Sequence, residues 1–503
     1  MSAAGRVCSP ESYRVNLTAF LFIDNFAVLN GNRSFELEDM TQHQSTESDI
    51  DHDSSTTVVN DPVVLRITSS IQITLSQLRY FTFTLVGIAL LWPWNCFLSA
   101  SAYYGERFAN STSLIKIYSS TMMSVSTLTS TIFNYYLSQV QKGVNYNLRL
   151  NFGLILTIIV FIIMAFSCVS FLFIKMNDLA FFIVLMFMVF ISSLATCYAQ
   201  NGTMATVNVL GGIYANAVMV GQAIAGVLPS VALIISILLV GDKIKTEDKK
   251  YVEKNYGVFV YYITASLVSI TSMASLYLIN TQKVQNQYRL IDEVMEGRLS
   301  TESQGPLVDE ETPVQETHVP FGLLWKKLKL IVMTIFFTFG ITLIFPVFAS
   351  TVESVHFDSP HKFFKKDIYI PFIYLIWNLG DLLGRIFCGT PNSRLLVKDP
   401  KKLIIYSLSR LIFIPLFLTC NIHPYTSSGY SSALINSDLW YIFLQLVFGL
   451  TNGILSTSSF MVVRDFCDSD EEKEAAGGFT TVFLSIGLAT GSLFSYLLVL
   501  LIN

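Results

Sequence analysis

The stretch FIYLIWNLGDLLGRIFC, from Phe372 to Cys388, places an aspartate and an arginine inside an otherwise apolar run of helical length. A charged side chain near the centre of a bilayer costs about 2.5–3.5 kcal/mol, so such residues usually face a bundle interior or a water-filled cavity. Asn378 precedes Asp381 by three residues and Arg385 follows it by four, so all three share one helix face. The stretch therefore predicts a helix whose polar stripe faces a path through a bundle.

Two glycines lie beside this stripe. Gly380 and Gly384 form a small-xxx-small pair, a spacing that lets a second membrane helix approach closely. We therefore expect a neighbouring helix to pack here and to close one wall of a cavity.

The composition indicates a membrane protein and excludes several other classes. Of 503 residues, 52% are hydrophobic and only 14% are charged, and the mean hydropathy is +0.53, values that soluble domains rarely reach. The net charge of -4 provides no basic field for nucleic acid, so no nucleic-acid partner is expected. The seven cysteines are scattered without a CxxC pair, so neither a disulfide framework nor a metal site is predicted.

Apolar runs of about 20 residues recur from Tyr80 onward, and each is long enough to cross the ~30 Å hydrocarbon core as a helix. Eleven such runs predict an all-α polytopic membrane protein. The division between the fourth and fifth runs is the least distinct, because only a few polar residues interrupt that stretch. The predicted spans are residues 80–103, 115–139, 150–174, 179–200, 205–240, 257–280, 328–351, 369–388, 402–421, 439–463 and 477–502.

The polar segments divide the chain into four parts. Residues 1–75, which are rich in Ser, Thr, Asp and Glu, are expected to form a disordered cytosolic tail. A polar cytosolic loop is expected at 281–327, between a six-helix half at 76–280 and a five-helix half at 328–503. Two helical halves around a central path are typical of transporters.

The basic residues set the expected orientation, because cytosolic loops carry an excess of Lys and Arg. Basic residues cluster before the ninth predicted span, whereas 422–437 after it contains neither Lys nor Arg, which predicts a cytosolic N-terminus and an outward C-terminus. Five lysines within 242–254 then fall outside, beside acidic residues, and weaken this inference. The cluster consists of Arg394, Lys398, Lys401 and Lys402.

The first loop contains a sequence suited to glycosylation. Asn110, Ser111 and Thr112 match the N-x-[ST] acceptor, and the predicted orientation places this loop on the outer side. Asn110 is therefore a candidate glycosylation site.

Four short motifs follow one another along the predicted spans. They are Leu91-Trp92-Pro93-Trp94-Asn95, Asn378-xx-Asp381-xx-Gly384-Arg385, Gly449-Leu450-Thr451-Asn452-Gly453 and Glu472-Lys473-Glu474-Ala475-Ala476-Gly477. Their order and placement resemble the equilibrative nucleoside transporter family, with its Pro-Trp-Asn signature in the first span and its Asn-xx-Asp-xx-Gly-Arg pattern in the eighth. The resemblance covers residues 80–503 and implies eleven spans in a six-plus-five, major-facilitator-like arrangement.

The chain also departs from the family pattern. Trp92 precedes the first-span proline, where the family more often has an aliphatic residue, and this affects the expected shape of the pocket. The first 75 residues have no usable counterpart. The long acidic tail formed by these residues resembles that of fungal family members associated with the vacuole. The resemblance therefore favours a vacuolar or lysosomal membrane, with the plasma membrane as the alternative. A monomer is expected.

The charged pair of the eighth span is the candidate substrate site. Uncharged hydrophilic solutes such as nucleosides need hydrogen-bond partners for sugar hydroxyls and a flat apolar surface for the base. Asp381 can accept bonds from ribose hydroxyls, while Arg385 can donate to ribose oxygens and neutralise the aspartate, and the resemblance implies the same assignment. The alternative is a structural salt bridge between helices. Asn378 either orients Asp381 or lines the pocket.

The candidate base-binding residues come from the other half. Trp94, after Pro93, offers an indole face for stacking, although interfacial anchoring is the alternative. Gln200, at the end of the fourth predicted span, has an amide that could both donate to and accept from a base edge, or else join neighbouring helices. Structural roles beside the site are assigned to Asn95, which is expected to bond a neighbouring helix, and to Gly384 and Asn452.

These residues predict facilitative transport of purine and pyrimidine nucleosides, such as adenosine and uridine, by alternating access. The alternatives are a carrier of nucleobase, nicotinamide riboside or sugar, and proton coupling through Asp381 or Glu353 stays open. A phosphate-bearing substrate is disfavoured because Arg385 is the only basic residue that we place well inside a span. No enzyme and no cofactor are predicted, since neither HExxH, a phosphate loop nor a second intramembrane aspartate occurs.

Overall fold

The computed structural model describes residues 63–68, 71–111, 113–240, 255–299, 318–422 and 433–502. Short 3-10 turns lie at Lys362–Phe364, Arg410–Ile412 and Val463–Phe466. The α-helices in chain order are α1 (Leu75–Ser99), α2 (Ser101–Arg107), α3 (Leu114–Gln139), α4 (Tyr146–Ser167), α5 (Phe171–Ile174), α6 (Asp178–Leu210), α7 (Gly212–Val240), α8 (Tyr256–Leu299), α9 (Phe321–Thr342), α10 (Ile344–Thr351), α11 (Lys366–Gly389), α12 (Pro400–Ser409), α13 (Phe413–Phe417), α14 (Asp438–Met461) and α15 (Asp470–Ile502).

Most of the predicted spans coincide with long apolar helices. Within the described residues, nine helical segments are long and apolar enough to cross a membrane. The predicted spans 115–139 and 402–421 are not among them. The first coincides with α3, whose sequence is rich in Ser and Thr, and the second is divided by the 3-10 turn at Arg410–Ile412. The all-α membrane fold is confirmed, while the count of eleven stays a prediction.

The boundary between the fourth and fifth spans differs from the prediction. The predicted span 179–200 ends at Gln200, whereas Gln200 lies inside α6, well before Leu210. The break occurs instead at Gly211, whose φ of 144° is a backbone conformation that glycine adopts far more readily than other residues. Polar amides alone therefore did not end this helix.

The central segment is helical at both ends. α8 continues to Leu299 and α9 begins at Phe321, so parts of the predicted loop 281–327 extend these helices. Residues 281–296 contain neither Gly nor Pro and are rich in good helix formers, which explains the extension. The remainder of the predicted loop, 300–317, lies outside the described residues.

A separate unit consists of Met1–Arg79 with Thr390–Asn392. Its described part contains two antiparallel strands, β1 (Val63–Thr68) and β2 (Ile71–Thr74), paired from Val63 with Thr74 to Thr68 with Ile71. This differs from the disordered tail predicted for 1–75, because both segments are rich in β-branched residues. The rest of that predicted tail, 1–62, and the lysines within 242–254 lie outside the described residues.

The other unit, Tyr80–Gly389 with Ser393–Asn503, contains the helices of the candidate site. For description, α1–α8 are called the first helix group and α9–α15 the second. In the second group, α11 packs against α14 and α9 packs against α15. Across the groups, α7 contacts α11 and α14, while α15 contacts α3 and α6. The polar stripe of α11 therefore lies where the two groups meet.

Candidate functional site

Four glycines bring α11 and α14 into backbone contact. A Cβ added at Gly380 or Gly384 would collide with the backbone of α14. A Cβ added at Gly449 or Gly453 would collide with the backbone of α11. This is the close helix approach that the small-xxx-small spacing predicts. It places the Asp381 turn of α11 directly beside the Asn452 turn of α14.

The charged pair of α11, Asp381 and Arg385, is buried, and Arg385 is hydrogen-bonded to α7. Asp381 is 3% exposed and Arg385 is 6% exposed. The Nε atom of Arg385 lies 2.9 Å from Oδ2 of Asp381, at an angle outside hydrogen-bond geometry, so the contact is an ion pair. Nη1 of Arg385 donates to the carbonyl oxygen of Met219 at 2.8 Å. Asn216 donates in turn from Nδ2 to the carbonyl oxygen of Arg385 at 2.8 Å.

A second set of hydrogen bonds reaches Asp381 from the interior of the second group. Asn452 donates from Nδ2 to Oδ1 of Asp381 at 2.7 Å. The Oδ1 atom of Asn452 lies 2.5 Å from the hydroxyl of Thr342, at the end of α9. Nη1 of Arg410 donates to that hydroxyl at 3.2 Å and to the carbonyl oxygen of Thr338 at 3.0 Å. Asp381, Asn452, Thr342 and Arg410 thus form one continuous polar chain.

The prediction that Arg385 is the only basic residue well inside a span was wrong, because Arg410 is a second one. Arg410 lies in the predicted span 402–421 and is 1% exposed. Its guanidinium sits 4.4 Å from the centre of the Phe448 ring and donates from Nη2 to the Phe448 carbonyl oxygen at 3.3 Å. An arginine in the middle of an apolar run was the signal available in the sequence.

Asn378 is held by its own helix. Its Nδ2 donates to the carbonyl oxygen of Tyr374 at 2.8 Å, and its Oδ1 faces Gly226 of α7, where an added Cβ would lie 2.6 Å away. Among the residues that the structure describes, no hydrogen bond joins Asn378 to Asp381. Asn378 therefore lies at the contact between α7 and α11.

An aromatic cluster lies one turn before Asp381 on α11. The rings of Trp377 and Phe345 stack with centroids 4.4 Å apart and an interplanar angle of 14°. Tyr374 meets Phe345 edge-on at 4.9 Å. The cluster packs α10 against α11 one turn before Asp381.

The residues of the first-span motif differ in burial and in hydrogen bonding. Trp92 is buried and donates from Nε1 to Oγ1 of Thr264 at 2.8 Å. Asn95 donates from Nδ2 to the carbonyl oxygen of Ala225 on α7 at 2.7 Å. Trp94 is only partly buried and packs against the aromatic core of the first group. Its indole has no hydrogen bond among the described residues.

Gln200 and the adjacent Asn201 differ in their hydrogen bonding. Gln200 is 9% exposed, and no hydrogen bond joins its amide to another described residue. Asn201 accepts a bond from Nη1 of Arg149 at 2.7 Å. Arg149, which the sequence analysis did not single out, also donates to the carbonyl oxygens of Leu137 and Val140. The structure joins neither Gln200 nor Trp94 to Asp381 by a hydrogen bond.

Besides the bonds between Arg385 and α7, further hydrogen bonds join the two groups at the end of the bundle where α3, α6 and α14 end. Asn134 donates to Ser485 at 2.6 Å, and Asn208 donates to the carbonyl oxygen of Lys473 at 3.1 Å. On the opposite side, the bonds found among the described residues stay within a group, as in the ion pair of Arg107 with Asp178 at 2.6 Å. The groups are therefore fastened together at one end.

Two further predicted features lie outside this cluster. Asn110 is exposed after α2, and Ser111 donates to Asp178 at 2.7 Å, whereas Thr112 lies outside the described residues. Within the described residues, no three His, Cys, Asp or Glu side chains are placed to hold a metal ion.

The chain is similar in sequence to known nucleoside transporters. The family described as nucleoside transporter matches residues 185–500. Nucleoside transporter FUN26 of Saccharomyces cerevisiae is 38% identical over 452 residues, covering 85% of each chain. Equilibrative nucleoside transporter 1 of Homo sapiens is 26% identical over 464 residues, covering 83% of this chain and 96% of its own. A crystal structure of the E. coli fucose:proton symporter FucP aligns with a TM-score of 0.45 at 12% identity, over 84% of this chain and 97% of its own.

Proposed function

The chain belongs to the nucleoside transporter family, and from this we propose that it carries purine and pyrimidine nucleosides across a membrane by facilitated diffusion. It is a multi-pass integral membrane protein. The observation that carries the proposal is the buried pair of Asp381 and Arg385 at the meeting of the two helix groups. The relatives FUN26 and equilibrative nucleoside transporter 1 are named as nucleoside transporters, which supports the substrate class.

The charged pair suits a ribose. A carboxylate accepts hydrogen bonds from hydroxyl groups, and a guanidinium donates to oxygen atoms, so the pair matches vicinal hydroxyls without requiring a charged ligand. Asn452 and the carbonyl of Met219 already hold the two side chains in place. A preorganised site of this kind loses little free energy to reorganisation when the substrate binds.

The base is assigned to the first helix group. Trp94 offers a partly exposed indole face for stacking, and Gln200 has no hydrogen-bond partner among the described residues, so its amide is free to bond a base edge. Asn378 lies at the contact between α7 and α11, and we assign it a role in lining the substrate pocket. Asn95 and Gly384 support the helices that carry these residues.

The one-sided fastening of the helix groups supports alternating access. With the N-terminus in the cytosol, the fastened end faces the cytosol, and the substrate enters from the other side. Rocking of the groups would break bonds such as Asn208 to the carbonyl of Lys473 and open the cytosolic side. The proposed location is a vacuolar or lysosomal membrane, with the plasma membrane as alternative, and the proposed unit is a monomer.

The test is uptake of radiolabelled adenosine and uridine into proteoliposomes that contain the purified full chain, with and without a pH gradient. We expect saturable uptake that is lost in Asp381→Ala and retained in Asp358→Ala, because Asp358 is an exposed aspartate outside the site. Absence of uptake of either nucleoside by folded protein would overturn the proposal. Uptake of a nucleobase, nicotinamide riboside or sugar in its place would identify the other substrate class.

A further inference from the structure

The hydroxyl of Thr342 lies within hydrogen-bond distance of three polar atoms but has only one proton to donate. Its Oγ1 lies 2.6 Å from the carbonyl oxygen of Thr338, 2.5 Å from Oδ1 of Asn452 and 3.2 Å from Nη1 of Arg410. A hydroxyl donates one hydrogen bond, so it can serve either the carbonyl or the amide oxygen, but not both. The guanidinium of Arg410 can only donate. Which acceptor receives the single proton of Thr342 decides how the rest of the polar chain is arranged.

Arg410 resolves this competition. Its Nη1 donates to the carbonyl oxygen of Thr338 at 3.0 Å, so that oxygen has a strong donor without Thr342. The proton of Thr342 is then available to Oδ1 of Asn452. With its oxygen engaged, the amide of Asn452 must direct its NH2 group at Asp381, in keeping with the 2.7 Å bond to Oδ1 of the carboxylate.

The other arrangement is unfavourable for an ionised Asp381. Without Arg410, Thr342 would bond the carbonyl of Thr338, as a helical threonine commonly does to the residue four positions earlier. The Asn452 amide could then rotate and direct its oxygen at the carboxylate of Asp381. Two acceptors would face each other in a buried site, where unpaired polar atoms are costly.

We propose that Arg410 and Thr342 are positioning residues that fix the carboxylate of Asp381 for ribose binding through the amide of Asn452. The inference rests on the proposed transport function. Arg410 is 1% exposed and is enclosed by α9 and α14, so it acts through its neighbours and not by touching substrate. Among the described residues, the charged groups facing Asp381 are Arg385 from α11 itself and Arg410, which interacts with it electrostatically across Thr342 and Asn452.

Thr342→Val is the most specific variant, because it removes the hydroxyl and keeps the shape of the side chain. Thr342→Ser restores the donor. Thr334→Val is the matched control, since Thr334 is a buried threonine of the same helix whose hydroxyl bonds only the Leu330 carbonyl at 2.8 Å among the described residues. Arg410→Met, compared with Arg410→Lys, tests the other end of the chain.

The readout is the ratio of kcat/KM for uridine to that for 3′-deoxyuridine in proteoliposomes, because a ribose contact discriminates between these substrates whereas a folding defect lowers both. We expect Thr342→Val and Arg410→Met to reduce this ratio about tenfold, the size of a lost hydrogen bond to a charged group. Thr342→Ser and Thr334→Val should keep it. A ratio unchanged in Thr342→Val, with wild-type uptake intact, would overturn the inference.

A second measurement decides the inference even where the wild-type chain carries no nucleoside. Thr342→Val and Asp381→Asn are combined in a double-mutant cycle of thermal unfolding in detergent. Non-additive effects are expected if Thr342 acts on Asp381, while Thr334→Val and Asp381→Asn should be additive. Additivity of Thr342→Val with Asp381→Asn would overturn the coupling, independently of the transport result.

Discussion

The polar chain around Asp381 and the pair Trp94 and Gln200 differ in how firmly they are held. Asp381 is bonded by Asn452 and paired with Arg385, which is itself tied to a carbonyl of α7. Trp94 is partly exposed, and Gln200 has no hydrogen bond among the described residues. Under the proposed function, the firmly held region would bind the constant sugar, and the region with fewer internal bonds would bind the varied bases.

The same contrast predicts that mutations in the two regions affect fold stability and substrate affinity to different extents. A residue in the fixed region holds neighbouring charges, so its loss should destabilise the fold as well as remove transport. A residue in the open region bonds little within the protein, so its loss should affect substrate affinity with little effect on stability.

Gly449→Ala should have the largest effect. The added methyl group would collide with the carbonyl of Trp377 and force α11 and α14 apart, at about 3 kcal/mol or more. We expect little monodisperse protein by size-exclusion chromatography in detergent. Gly322→Ala is the control, because an added Cβ there meets nothing within 4 Å and alanine favours the helix. Equal behaviour of the two variants would refute the close helix contact.

Arg385→Met should destabilise the protein by about 3–5 kcal/mol, because it leaves the carboxylate of Asp381 buried without its ion-pair partner. The double variant Asp381→Asn/Arg385→Met should recover most of the thermal stability and still fail in nucleoside uptake. Lys473→Met provides the control, since its pair with the exposed Asp470 should contribute at most about 1 kcal/mol. A double variant as unstable as Arg385→Met would argue against charge pairing as the cause.

Trp92→Leu and Trp94→Leu should separate the two tryptophans of one motif. Trp92 is buried with its indole bonded to Thr264, so its replacement should lower stability by about 2 kcal/mol. Trp94→Leu should leave the unfolding temperature nearly unchanged and raise the KM for nucleosides about fivefold through lost base stacking. The reverse pattern would assign base stacking to Trp92.

Gln200→Ala and Asn201→Ala should give the smallest and most selective effects. Gln200→Ala breaks no hydrogen bond between described residues, so we expect unchanged stability and a KM raised about fivefold. Asn201→Ala removes the acceptor of Arg149 and should lower stability by about 1.5 kcal/mol with KM retained. Thermal unfolding and uptake kinetics on the same samples check both. A stability loss in Gln200→Ala alone would identify it as a structural residue.

Local sequence determined much of this protein. Apolar runs of sufficient length predict membrane helices regardless of their neighbours, because backbone groups in lipid must bond within the segment. Helical periodicity alone puts Asp381 and Arg385 on one face, and the glycine spacing beside them predicts a close partner helix. The family motifs are also local, and two of the four, at Asn378 and at Gly449, lie on helices that meet at the Asp381 turn of α11.

The tertiary structure decided the rest. Asn452 reaches Asp381, and Arg410 reaches Thr342, only because α9, α11, α14 and the turn after α12 meet in the bundle. Periodicity shows which face of a helix is polar, but it carries no information about which other helix will cover that face. For the same reason the end of α6 was misplaced: Asn201 is satisfied within the fold by Arg149, and the helix continues to Gly211. A buried polar group depends on its partners, and partners far apart in sequence are brought together only by packing.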